Sequence, residues 1–124
     1  MRFFKRGETA DSKFVFLDSV TNEAVNVLNP TYRIVHYDGP TEIIDVAETT
    51  LDMISPARIG HYVVNWEIPT DIPEFETYFV YATGIHVSDN TTTQIEDFYR
   101  VIPTNFFGGG GGSNAGLTIK FTKP

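Results

Sequence analysis

The side chains best suited to chemistry in this sequence are three histidines, His36, His61 and His86. Imidazole ligates metals and exchanges protons near neutral pH. A zinc site needs three or four ligands aimed at one point. Each histidine falls in a segment that reads as a strand, and no spacing among them predicts convergence. Their expected place is the surface or a pocket edge, and no metal is expected. The carboxylates are numerous, but glycosidase chemistry needs two of them held at a defined separation in a cleft. Asp71, Glu74 and Glu76 crowd one turn around Phe75 and read as a solvated loop. Glu96 and Asp97 put one carboxylate on each face of a strand, and the inward one needs a partner such as Arg100 or Arg33. The five glycines Gly108 to Gly112 lack the Lys-Ser/Thr that completes a phosphate loop. No Gly-x-Ser-x-Gly elbow, His-Glu-x-x-His pair or calcium loop occurs. The chain has no cysteine, which removes thiolate nucleophiles, thiolate metal ligands and disulfides. The expectation is a protein that is not an enzyme, with no catalytic residue and no cofactor. A small hydrolase is the catalytic alternative, and no nucleophile supports it.

Aromatic residues carry a different chemistry. Ten phenylalanines and six tyrosines are present, and Tyr78, Phe79, Tyr81, Phe98 and Tyr99 crowd two late segments. Period-two alternation places them on both faces of one sheet. If one face is core, the other presents rings to solvent or to a partner. A protein interface is the first reading. A carbohydrate- or cell-surface-binding platform is the alternative. The sequon Asn90-Thr91-Thr92 matters only in a eukaryotic secretory setting.

The elements that position these residues are short strands. Lys13 to Leu17, Thr31 to Tyr37, Thr41 to Val46, Gly60 to Ile68, Thr77 to Val87 and Thr93 to Ile102 all alternate or run apolar. Asp38-Gly39-Pro40 is a turn signal that joins two of them as a hairpin. Tyr62, Val64 and Trp66 share a face, which is the expected core face. Gly84 inside its strand predicts a bulge or a close backbone approach. Residues 46–53 offer one weak helix, made poor by two threonines. Seven or eight short strands separated by frequent turn signals predict an all-β, immunoglobulin-like antiparallel β-sandwich. At 124 residues this is one domain.

The ends differ from the body. Residues 1–12 read as an N-terminal arm, residues 13–103 as the sandwich, and residues 104–124 as a glycine-rich linker with a C-terminal strand. In that last strand Leu117, Ile119 and Phe121 alternate onto one face. A tethered strand either folds back on its own sheet or adds to another subunit's edge. Net charge is −7, against nucleic acid as the main partner. From Asp38 to Asp97 there are twelve acids and one base, whereas residues 1–6 carry three bases and no acid. From Arg100 onward there are three bases and no acid. One reading is a solvated acidic surface; the other is basic ends docking on the acidic body of a neighbouring copy. The interface residues expected on that basis are Phe3, Phe4, Phe106, Phe107, Leu117, Ile119 and Phe121. Removing residues 106–124 is then expected to leave a folded body that no longer assembles. No apolar run is long enough to span a membrane.

Residues 29–69 carry a resemblance. Asn29-Pro30-Thr31-Tyr32-Arg33-Ile34, then Tyr37-Asp38-Gly39, then Gly60-His61-Tyr62-Val63-Val64-Asn65-Trp66-Glu67-Ile68-Pro69 resemble Ig-like sandwiches of tailed-bacteriophage virion proteins. The same pattern resembles bacterial macroglobulin-type and adhesin modules. It covers a third of the chain and is a fold motif with no catalytic residue. The opening Met1-Arg2-Phe3-Phe4-Lys5-Arg6 has no apolar stretch behind it. With a lone domain, this favours the phage group. The resemblance implies a homo-oligomeric virion component made in the host cytoplasm: a head-decoration, neck or tail-associated subunit binding copies of itself and neighbouring virion proteins.

Overall fold

The computed structural model describes residues 1–104, which form eight strands and no helix. They are β1 (Arg2–Lys5), β2 (Thr9–Val15), β3 (Val27–Asp38), β4 (Thr41–Thr50), β5 (Asp52–Met53), β6 (His61–Glu67), β7 (Glu76–His86) and β8 (Thr92–Ile102). Two sheets result: five strands in the order β1-β8-β7-β3-β4, and three in the order β2-β6-β5. Their inward faces share one core, which is the layout of a β-sandwich.

Alternation explains the layering. Along β7, Tyr78, Val80, Ala82, Gly84 and His86 are buried, while the residues between them are half-exposed. Along β6, Tyr62, Val64 and Trp66 are buried, as their shared face predicts. Trp66 packs on Tyr78 and Tyr99 of the opposite sheet, with ring centroids 5.6 and 6.3 Å away. Asp38 and Thr41 close the β3–β4 hairpin across Gly39, whose φ of +61° suits a residue without Cβ.

Three expectations change. The first is the N-terminal arm. β1 pairs with β8 from Arg2↔Tyr99 to Lys5↔Ile102, and β2 pairs with β6 from Thr9↔Glu67 to Val15↔His61. Residues 1–12 therefore belong to the sandwich, β1 in one sheet and β2 in the other. Arg2 holds this arrangement by reaching Asp97 at 2.8 Å and Asp11 at 3.3 Å. Arg6 reaches Glu74 at 3.5 Å and donates to the Ile72 carbonyl at 2.8 Å. Arg2 and Arg6 thus meet acids within the chain. The second is sheet direction: β1 and β8 run parallel, so the larger sheet is mixed. These two strands stand at opposite ends of the described chain, and no hairpin constrains their direction. The third is the weak helix at 46–53. β4 runs through Thr50 and β5 follows, as β-branched Thr49 and Thr50 prefer.

Gly84 is a close approach. The β7–β8 ladder continues through Gly84↔Thr93 without a register shift, whereas on the other side of β7 the register with β3 shifts between Leu28↔Ile85 and Thr31↔Thr83, opposite Gly84. A Cβ at residue 84 would meet the Val27 side chain and stand 3.2 Å from Phe16 Cε2.

Candidate interaction surface

The outer face of the five-stranded sheet is built from residues that alternate with the core. Register aligns Phe98 with Phe79, Phe79 with Val35, and Val35 with Ile44. An apolar row therefore crosses β8, β7, β3 and β4 on the side away from the core. Ile44 is 57% exposed and Phe98 41%, whereas Val35 is fully covered by its neighbours. Phe98 lies 6.0 Å from Phe79 between ring centroids. Phe79 lies nearly parallel to Tyr81, with 8° between planes and 6.2 Å between centroids. Tyr37 stands edge-on to Phe79 at 5.5 Å, and its hydroxyl meets that of Tyr81 at 2.9 Å.

A charged rim borders the row. The Arg33 guanidinium sits 4.6 Å over the Tyr81 ring. It also pairs with Glu42 at 3.3 Å and donates to Gln94 at 3.4 Å. Burial, then the hydrogen bond with Tyr37, pushes the Tyr81 hydroxyl up to about 12, so it is neutral and able to donate at any physiological pH. Arg100 forms the other margin and donates to the Phe75 carbonyl at 2.9 Å. Phe75 is half-exposed and holds φ +63°, a left-handed conformation uncommon for an aromatic residue.

Alternation distributes the late aromatics over both faces, and the structure divides them. Phe79, Tyr81 and Phe98 face out. Tyr78 and Tyr99 are completely buried. Tyr99 therefore belongs to no sugar platform. Tyr37, Val35, Ile44 and Arg33, outside the late aromatic segments, join the face. The sequence carries a signal for three of them, since alternation along Thr31 to Tyr37 sets Arg33, Val35 and Tyr37 on one side.

The expected interface residues fare unequally. Phe4 turns inward and packs edge-on against Tyr99 at 5.2 Å, so it is a core-side residue. Phe3 aligns with Arg100 and is half-buried on the outer side. Phe106, Phe107, Leu117, Ile119 and Phe121 lie outside the described residues.

Asp97 and the three histidines have local partners. Asp97, the inward acid of β8, pairs with Arg2 and not with Arg100 or Arg33. His86 Nε2 meets Thr93 Oγ1 at 2.8 Å, and His61 Nδ1 meets the Ile59 carbonyl at 2.9 Å. His36 Nδ1 meets Asp45 Oδ2 at 2.7 Å, with both side chains 12% exposed. That contact depends on a bulge: Val35 pairs with Ile44 and Ile34 with Val46, which leaves Asp45 as the extra residue. Among the described residues no three His, Asp or Glu side chains converge as metal ligands. A cleft of about 640 Å³ runs past Asp11, Lys13, Tyr32, Asp52, Met53 and Asn65. Its lining mixes charged, hydroxyl and apolar groups.

No family model, curated protein or solved structure matches this chain.

Proposed function

We propose that the chain is a non-catalytic assembly module that binds further copies of itself and neighbouring subunits of a phage particle. The single observation behind the binding role is the apolar row Phe98–Phe79–Val35–Ile44 on the outer sheet face. An apolar centre with a rim of both charge signs is the ordinary anatomy of a protein interface. Arg33, Glu42, Glu96 and Arg100 supply that rim. The occupant of the face is a second copy or an adjacent subunit, and the sandwich is the rigid spacer between contacts. The Ig-like character and the virion setting come from the resemblance of residues 29–69. Head decoration, neck and tail positions all accord with that resemblance.

The test is the mass of the full chain in solution by sedimentation velocity. The native protein is expected to sediment as an oligomer. A Phe98→Ser, Ile44→Ser double variant is expected to keep its β-type circular dichroism and sediment as a monomer. Native protein that stays monomeric at high concentration overturns the self-assembly reading. Capsid, portal or tail genes beside the coding gene would support the virion setting.

One observation favours a second reading, a carbohydrate-binding module. Phe79 and Tyr81 present nearly parallel rings beside the Tyr37 hydroxyl, and parallel aromatic faces stack on sugar rings. Glycan binding that Tyr81→Ala abolishes would favour it over the assembly module.

A further inference from the structure

The apolar row of the outer sheet face ends on β8 at Phe98, which stands between Glu96 and Arg100. All three alternate with the inward Asp97 and Tyr99 and so share the outer side. Each charge lies two positions from Phe98, about 7 Å along the strand. Among the described residues neither Glu96 nor Arg100 meets a charge of opposite sign. The other charges that β8, β7, β3 and β4 carry on this side are engaged: Arg33 with Glu42, and Glu48 with the Thr31 hydroxyl. One acid and one base are left over, placed evenly on either side of the row.

That placement is self-complementary. A two-fold axis along the row lays each row residue on its own counterpart and exchanges what lies to either side. Phe98 meets Phe98 of a second copy, Arg100 meets Glu96, and Glu96 meets Arg100. On β3, Arg33 and Tyr37 flank Val35 in the same way, so the guanidinium of one copy lies over the Tyr37 ring of the other. On β7, Tyr81 comes over Thr77. None of these pairs opposes like charges. Sheets stacked face to face stand about 10 Å apart, a gap that an arginine and a glutamate bridge between them. Their usual crossing angle of about 30° shifts the outer strands by about one residue, which stays within the reach of Arg100. An axis along the strands is less suitable. It would set β8 over β4, offer Arg100 to a Glu42 that Arg33 already holds, and face Glu96 with a strand that has no base.

We infer that the outer sheet face closes on a second copy of this chain, stacked about a two-fold axis along the apolar row, with Arg100 of each copy paired to Glu96 of the other. The inference rests on the assembly reading and narrows its occupant to one: an identical chain in a closed dimer. The apolar row supplies the buried centre, and the two exchanged ion pairs fix the register.

Charge exchange tests the register. Sedimentation velocity of the full chain over a range of concentrations gives the dimer dissociation constant for each variant, with circular dichroism as the check on folding. Arg100→Glu leaves only acids at the two contacts, and Glu96→Arg leaves only bases. Each is expected to raise the dissociation constant about tenfold or more. The second variant guards the first, because Arg100 also donates to the Phe75 carbonyl whereas Glu96 holds no ion pair among the described residues. An equal mixture of the two variants is expected to dimerise again, since every acid then meets a base across the axis. The double variant Glu96→Arg, Arg100→Glu is expected to dimerise by itself for the same reason. A native dimer that neither reversal weakens overturns the stacking and leaves the assembly reading standing. So does a loss that neither the mixture nor the double variant repairs. Native protein that is monomeric throughout overturns both.

Discussion

The two faces of the five-stranded sheet have similar aromatic content and opposite burial. On the inner face Tyr78 and Tyr99 are completely buried between Trp66 and the neighbouring strands. On the outer face Phe79 and Phe98 stand one residue away on the same two strands and remain partly in water. Composition does not separate these residues; parity along the strand does. The inner rings stabilise the sandwich, because their area leaves water entirely. The outer rings keep part of their apolar area in water and so stabilise the fold less. A residue-type count would treat them as one aromatic cluster, and they are two.

The largest expected effect breaks the inner face. Tyr78→Ala deletes a buried ring in contact with Trp66 and His36. It is expected to cost about 3–5 kcal/mol of folding free energy, the usual range for large aromatic truncation in a core. Phe98→Ala on the outer face is expected to cost under about 1 kcal/mol. Urea unfolding followed through Trp66 fluorescence measures both. Similar costs for the two variants would remove the distinction between the faces.

A second effect sharpens the packing of the inner face, where β7 meets β3 within the larger sheet. Gly84→Ala places a methyl group against Val27, 2.8 Å from its Cβ. Overpacking of this kind is expected to cost about 1–3 kcal/mol. Val27→Ala in the same chain is expected to return part of that loss, since the clash is with one side chain. If the double variant is no more stable than Gly84→Ala alone, the close approach is not the reason for glycine at residue 84.

Much of this layout was readable in the sequence, for reasons that also explain what was not. The Trp66 strand and the β3–β4 hairpin announce themselves through large apolar residues at every second position and a glycine turn. β2 does not, because its inward residues before Phe14 are Ala10 and Ser12. Small buried side chains carry almost no hydrophobic signal, so residues 9–12 read as a polar arm. β1 hid behind its charges: Arg2 lies on the inner side at the sheet margin and is satisfied by Asp11 and Asp97 from two other strands. Partners that far apart in sequence are not predictable from local pattern. The outer aromatic row was half visible, since alternation marks which residues share a face but not which strands lie side by side. The His36–Asp45 contact was invisible, because a bulge breaks the period that sequence reading relies on.

The smallest expected effect tests how the inner face handles its hydroxyl groups. Tyr78 donates to the Pro73 carbonyl at 2.6 Å, while the Tyr99 hydroxyl finds no partner among the described residues. Burial comes first, and Asp45 or Asp97 second, in holding both hydroxyls far above the usual tyrosine range. Both are therefore neutral and can act only through hydrogen bonds. Tyr78→Phe removes a bond that is made and leaves a carbonyl without its donor, for an expected loss of about 1 kcal/mol. Tyr99→Phe removes only a buried polar atom and is expected to be neutral, or to stabilise by up to about 1 kcal/mol. The two substitutions delete the same atom from the same layer, so any difference in urea midpoint reports the partner alone. A Tyr99→Phe variant less stable than Tyr78→Phe would mean that the Tyr99 hydroxyl is bonded in solution, and the inner face would then contain a polar contact in place of an orphaned group.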